Sequence, residues 1–108
     1  MMPRQKESHG LVEIDGMVLD MDKTTLRKNE TEIHLTPKET KLMALLMRNV
    51  GKVVSRSDLM QEVWNTEYLG DTRTLDVHIC WLRQKIEDNP RIPEMILTRR
   101  GQGYELRI

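Results

Sequence analysis

The stretch TRTLDVHICWLRQKI, Thr72 to Ile86, holds three residues whose types could do chemistry: His78, Cys80 and Trp81. Imidazole and thiolate are metal ligands, and a Cys–His pair can supply a nucleophile and its base. Spacing decides against both. Leu75, Ile79, Leu82 and Ile86 recur with a helical period, so the stretch reads as a helix. At about 100° per residue, His78 and Cys80 point about 200° apart, whereas chelation from one helix needs i, i+3 or i, i+4. His9 and His34 lie in other segments, and Cys80 is the only cysteine, so no intramolecular disulfide forms. A catalytic Cys–His pair would need a partner from a distant segment, and no oxyanion-hole glycine motif accompanies it. No metal, cofactor or catalytic activity is expected, and Cys80 reads as a small, soft surface residue.

The same wheel defines two faces. Leu75, Ile79, Leu82 and Ile86 fall within about 60° of one another and form a core stripe that His78 borders. Arg73, Val77, Cys80, Trp81 and Gln84 fall opposite. An outward helix face is normally charged, so Val, Cys and Trp there mark a docking surface.

The rest of the chain must position that helix. Its 108 residues suffice for one domain with one core. With 38% hydrophobic and 31% charged residues and no apolar run near the ~20 that a membrane helix needs, no membrane role is expected. The polar start MMPRQKESHG, residues 1–10, has no signal-peptide pattern and reads as a flexible leader or linker remnant, so the location is cytoplasmic by default. Net charge is zero, which argues against an indiscriminate nucleic-acid binder. The charge is nonetheless divided, −2 up to Asp71 and +2 from Thr72 onward.

From Leu11 to Thr36, the segments LVEI, MVLDM, TTLRK and TEIHL alternate in polarity between the turn dipeptides DG, DK and NE, which predicts an antiparallel meander. Thr36-Pro37-Lys38-Glu39 then opens a helix, with Thr36 as N-cap, Pro37 at the first position and Glu39 closing a capping box. That helix runs to about Asn49, with a stripe of Leu42, Leu45, Leu46 and Val50 flanked by Met43 and Met47. Gly51 ends it, Val53 and Val54 form a short extended link, and Ser55 caps a second helix through Leu59, Met60, Val63 and Trp64. NTEYLGD, Asn65 to Asp71, is a loop longer than the turn of a simple helix-turn-helix. Asp71 or Thr72 caps the third helix, which ends near Asp88 before Asn89-Pro90. EMILTRRGQGYELRI is strand, glycine turn and strand, with Gly101 and Gly103 supplying the turn's backbone angles.

This arrangement suits duplex DNA. A major groove admits one helix, phosphates are met by basic side chains and helix N-termini, and thymine methyls accept apolar contact. Arg73, Arg83 and Lys85 flank the apolar patch, while Arg99 and Arg100 at a tight turn have the shape and charge to enter a minor groove.

Taken together, LTPKETKLMALLMRNVGKVVSRSDLMQEVW, DTRTLDVHICWLRQKIED and ILTRRGQGYEL, in this order and spacing, resemble the C-terminal DNA-binding domain of OmpR/PhoB-type bacterial response regulators. The resemblance covers residues 11–108 almost entirely. It implies an α+β winged helix-turn-helix: an N-terminal four-stranded antiparallel sheet, three helices and a C-terminal β-hairpin wing. It implies sequence-specific binding of double-stranded DNA, with residues 72–88 as recognition helix in the major groove and Arg100 in the minor groove. Arg73, His78, Trp81 and Arg83 match positions used for phosphate or base contact. Trp64, Thr98 and Tyr104 match further contacts near the backbone, and Val77, Cys80, Gln84 and Arg99 complete the expected DNA-binding set. The loop holding Glu67 and Tyr68 matches one that can touch RNA polymerase. The family adds a receiver domain phosphorylated on aspartate, and its dimers bind direct repeats head to tail. No receiver fits in this chain, which reads as an excised domain, with a stand-alone regulator as the other possibility.

Cys80 departs from the resemblance, since many members have arginine there, which predicts fewer hydrogen bonds to bases and more apolar contact. Several positions also have packing readings: Trp64 and Tyr104 in the core, His78 as a hydrogen-bonded structural residue, and Arg83 paired with Asp76 on one helix face. The rival function is a protein-interaction module using Val77, Cys80 and Trp81.

Overall fold

The computed structural model describes residues 6–8, 10–66 and 72–108. Asp15 and Gly16 both take positive φ, 48° and 82°. This is the two-residue hairpin turn that an Asp-Gly dipeptide favours, and it joins β2 (Leu11–Ile14) to β3 (Met17–Asp20). β4 (Thr25–Lys28) and β5 (Thr31–His34) continue the meander, each strand antiparallel to the one before. Alternation decides which side faces inward: Val12, Ile14, Met17, Leu19 and Leu26 are buried.

The expected meander is present and has gained a strand. β1 (Lys6–Ser8), in the segment read as a leader, pairs antiparallel with β2, Lys6 opposite Glu13 and Ser8 opposite Leu11. The physical reason is the open edge of β2, whose unpaired backbone groups accept another strand. Short polar KES carries no hydrophobic alternation, so only the neighbouring edge reveals it.

α1 (Pro37–Arg48) starts as its capping box requires: Glu39 N–H donates to Thr36 Oγ1 at 3.2 Å, and Thr36 N–H donates to Glu39 Oε1 at 2.8 Å. Its buried stripe is rotated from the expected one. Leu42, Met43, Ala44, Leu46 and Met47 are buried, whereas Leu45 and Val50 are partly exposed. The reason is that α1 is central, touching β2, β3, both other helices and β8, so it buries a wider face than an outer helix.

β6 (Val53–Ser55) ends in the N-cap of α2 (Arg56–Trp64), where Ser55 Oγ accepts from Asp58 N–H at 3.1 Å. α3 (Arg73–Ile86) buries Leu75, Ile79, Leu82 and Ile86, the predicted stripe. It ends two residues before the expected Asp88, because Glu87 leaves the helix with extended backbone. Its buried carboxylate accepts backbone N–H bonds from Glu94, Met95 and Ile96 at 2.8 to 3.1 Å, and so folds the 88–95 loop back onto the helix end. Lys28 Nζ donates to the Ile86 carbonyl at 3.0 Å, placing a cation at the negative end of the helix dipole.

β7 (Ile96–Arg99) and β8 (Gly103–Leu106) form the wing, and β6 pairs with β8 to make a three-stranded sheet in the order β6-β8-β7. Gly101 has φ 74° in the turn. Gly103 is needed for closeness as well: a Cβ there would collide with the Val54 carbonyl of β6. The extended link expected at Val53 and Val54 is thus the strand that braces the wing. Three helices, the antiparallel meander and the C-terminal hairpin make this an α+β winged helix-turn-helix.

Candidate nucleic-acid interface

Arg73, Val77, Cys80, Trp81 and Gln84 are all exposed along one face of α3, as the helical wheel predicts. Val77 retains 42% and Trp81 47% of its accessible surface, large values for apolar side chains. At the N-terminus of α3 the N-cap Thr72 makes no side-chain capping bond. Thr72 instead serves Arg56, whose Nη2 donates to both its hydroxyl and its carbonyl. Asp71 lies outside the described residues, as do Glu67 and Tyr68.

His78 stands between two indoles. Its ring centroid is 5.0 Å from that of Trp64, edge to face, and 5.0 Å from that of Trp81. Nδ1 lies 2.7 Å from the Thr74 carbonyl oxygen, which can only accept, so the proton sits on Nδ1. The ring is fixed by its own helix and braces Trp81 from behind. Trp64 packs partly into the core at the end of α2 and takes Lys38 Nζ 5.7 Å from its ring centroid. Lys38 also donates to the Val63 carbonyl at 3.0 Å, closing the C-terminal turn of α2.

Arg83 joins helix to wing. Its Nε and Nη2 donate to the Ile96 carbonyl at 3.1 and 2.7 Å, and Nη2 also donates to Thr98 Oγ1 at 2.8 Å. Its guanidinium lies 5.6 Å from the Tyr104 ring centroid. The expected Arg83–Asp76 pair does not form. Asp76 is taken by Arg56 in a two-pronged pair, Nη1 to Oδ1 at 2.6 Å and Nη2 to Oδ2 at 3.0 Å, the fork geometry that guanidinium and carboxylate share. Tyr104 OH donates to the same Oδ1 at 2.6 Å. Tyr104 is buried with its hydroxyl bonded inward, which matches its packing reading and leaves it off the exposed face.

These bonds bias protonation. Arg56 and then Tyr104 hold the Asp76 carboxyl below its ordinary value, against partial desolvation that pulls the other way. Burial, and then the bond to Asp76, push the Tyr104 phenol above its ordinary value.

The two wing arginines differ. Arg99 Nε donates to Glu105 Oε1 at 2.8 Å across the hairpin, so its charge is partly neutralised. Arg100 is exposed in the turn between the strands. Thr98 is exposed beside Arg83.

The local sequence does not reveal Arg56 and Glu87 as supports, nor Glu39, expected in the capping box, as the partner of Lys85. One signal was present for Arg56: a cation in the first turn of a helix opposes the helix dipole, which implies a partner elsewhere. Lys85 Nζ meets Glu39 Oε1 at 2.5 Å, tying the far end of α3 to the start of α1 around a carboxylate that is 1% exposed.

Comparison with known proteins agrees with this architecture. Residues 30–106 match the family described as transcriptional regulatory protein, C terminal. The chain is 40% identical over 100 residues to the alkaline phosphatase synthesis transcriptional regulatory protein SphR of Synechococcus elongatus, covering 93% of this chain and 39% of SphR. It thus spans about two-fifths of the length of that curated relative. Among solved structures, the DNA-binding domain of Klebsiella pneumoniae RstA in complex with its RstA box superposes with a TM-score of 0.80 at 24% identity, covering 92% of this chain and 98% of that one. DrrB, a Thermotoga maritima OmpR/PhoB homologue, matches at 33% identity with a TM-score of 0.76, over 91% of this chain and 44% of DrrB. The chain belongs to the family of transcriptional regulatory protein C-terminal domains, in its OmpR/PhoB-type response-regulator branch.

Proposed function

We propose that this chain is the sequence-specific, double-stranded DNA-binding effector domain of a two-component response regulator, with α3 in the major groove and Arg100 in the minor groove. The observation that carries the reading is the face of α3, where Arg73, Val77, Cys80, Trp81 and Gln84 stand exposed while Arg83 ties the same helix to the wing. A helix is the element that fits a major groove, and an arginine at a hairpin tip fits the narrow one. The RstA domain, which shares this fold, is solved with its DNA box, and that supports the same role here.

In the full regulator, a receiver domain controls this one through aspartate phosphorylation, and two copies bind direct repeats head to tail. Glu67 and Tyr68 are the candidates for contact with RNA polymerase. A cytoplasmic location goes with this role, and no helix among the described residues is long and apolar enough to cross a membrane. Of the expected DNA-contacting residues, the exposed set and Arg100 remain direct readers or anchors. Trp64, His78, Arg83 and Tyr104 act by holding them in place, and Thr98 and Arg99 flank the groove edge.

The test is duplex binding as a function of salt. Sites selected from a random duplex library should lose affinity steeply between ~50 and ~200 mM salt, because released counterions drive phosphate contact. The exposed apolar patch and zero net charge favour a second reading, a protein-interaction module. Absent or salt-independent DNA binding would select it.

A further inference from the structure

The charged side chains in the body of α3 are each held by an intramolecular partner. Asp76 takes Arg56 and Tyr104, Arg83 takes the Ile96 carbonyl and Thr98, and Lys85 takes the buried Glu39. Arg73 stands in the first turn, at the end of the face. The middle of that face therefore presents Val77, Cys80, Trp81 and Gln84, none of them charged. Val77, Cys80 and Trp81 are spaced i, i+3 and i+4, so their side chains form one patch, and Gln84 follows Cys80 by one further turn.

Guanine is ordinarily read through O6 and N7 by arginine or lysine. The middle of this face has neither. Thymine is the one base with an apolar group, its C5-methyl, on the major-groove edge, and adenine offers N6 and N7 to a side-chain amide. We infer that the middle of α3 reads thymine, with Val77, Cys80 and Trp81 packed on C5-methyl groups and Gln84 able to pair with an adjacent adenine. This rests on the proposed docking of α3 in the major groove. Trp81 is built for such a contact, because His78, itself pinned through Nδ1 to Thr74, backs the indole at 5.0 Å. The exposed Arg100 at the wing tip adds a positive charge to the same side of the interface, which favours a polyanionic duplex over a polypeptide as the occupant of the patch.

The experiment uses this domain and a site selected from a random duplex library, with each thymine replaced in turn by deoxyuridine, which lacks only the methyl. Two or three thymines should each lose about fourfold in affinity, the worth of one buried methyl. Val77→Ala and Trp81→Ala should weaken binding to the thymine duplex and have much less effect on the matching deoxyuridine duplex. Those variants alter exposed side chains, and circular dichroism confirms that they fold. The inference is overturned by selected sites with invariant guanine opposite the middle of α3. It is equally overturned by deoxyuridine duplexes that bind as well as their parents, or by variant losses equal on both duplexes. Salt-dependent binding that survives either outcome leaves the docking itself standing, whereas absence of duplex binding overturns both.

Discussion

Tyr104 OH donates to Asp76 Oδ1 at 2.6 Å, so the wing strand β8 and α3 share one carboxylate with Arg56 at the start of α2. Three elements that lie far apart in sequence are registered by a single side chain. Tyr104→Phe removes one of its three bonds without opening a cavity. Urea unfolding should show a loss of about 1 kcal/mol with the m-value unchanged, the usual worth of one hydrogen bond.

The same cluster makes stability depend on pH at both extremes. The Asp76 carboxyl is held below its ordinary 3.8 by Arg56, so its contribution is full above that value and is lost as pH falls through the lowered pKa. Tyr104 is held above its ordinary 10.0 by burial, so its contribution is full below 10.0 and is lost as pH rises through the raised pKa. Asp76→Asn should flatten the acid limb of a thermal-melt profile below the ordinary carboxyl value of 3.8. An acid limb identical to the parent's would show that Asp76 does not carry it.

Glu87 accepts N–H bonds from Glu94, Met95 and Ile96 with a buried carboxylate. Glu87→Ala leaves those donors without an acceptor, and it should destabilise the domain by about 2–4 kcal/mol. Glu87→Gln, which keeps one acceptor oxygen, should recover part of the loss in the same urea titration.

Gly103→Ala sets a methyl against the Val54 carbonyl and must push β6 away from β8. A loss of at least about 2 kcal/mol is expected. Amide exchange should quicken first in Val54 and Ser55.

Arg100→Ala should leave the melting temperature unchanged, because the side chain is exposed at a turn. Its DNA affinity should fall by about 1–3 kcal/mol. A fall that is the same on narrow and wide minor grooves would place Arg100 on phosphate alone.

Local features were legible in the sequence because local forces make them. The Thr36–Glu39 capping box, the Ser55 cap and the Leu75–Ile86 stripe each depend on residues within a few positions of one another. The exposed face of α3 followed from the same periodicity. Long-range partnerships were not legible. Arg56 finds Asp76 twenty residues on, and Lys85 finds Glu39 forty-six residues back, and nothing in either local pattern names its mate. Helix spacing offers Asp76 as a packing partner for Arg83, but the carbonyl of Ile96 and Thr98 on the neighbouring strand hold it instead. β1 has no local signature, because a three-residue polar strand is defined by the edge it joins. Leu45 and Val50 are only partly buried, while Met43, Ala44 and Met47 are buried, because α1 is covered on several sides.

Ser55 is at once the last residue of β6 and the cap of α2, so the strand bracing the wing runs without slack into the helix bracing α3. With Arg83 and Tyr104 clamping the other side, the tip of the wing and the exposed face of α3 form a ruler of fixed length. On the proposed docking, the duplex must supply the flexibility. One base pair inserted between the two contacted tracts, about 3.4 Å of extra rise, would therefore have to be absorbed by bending DNA, or binding would be lost.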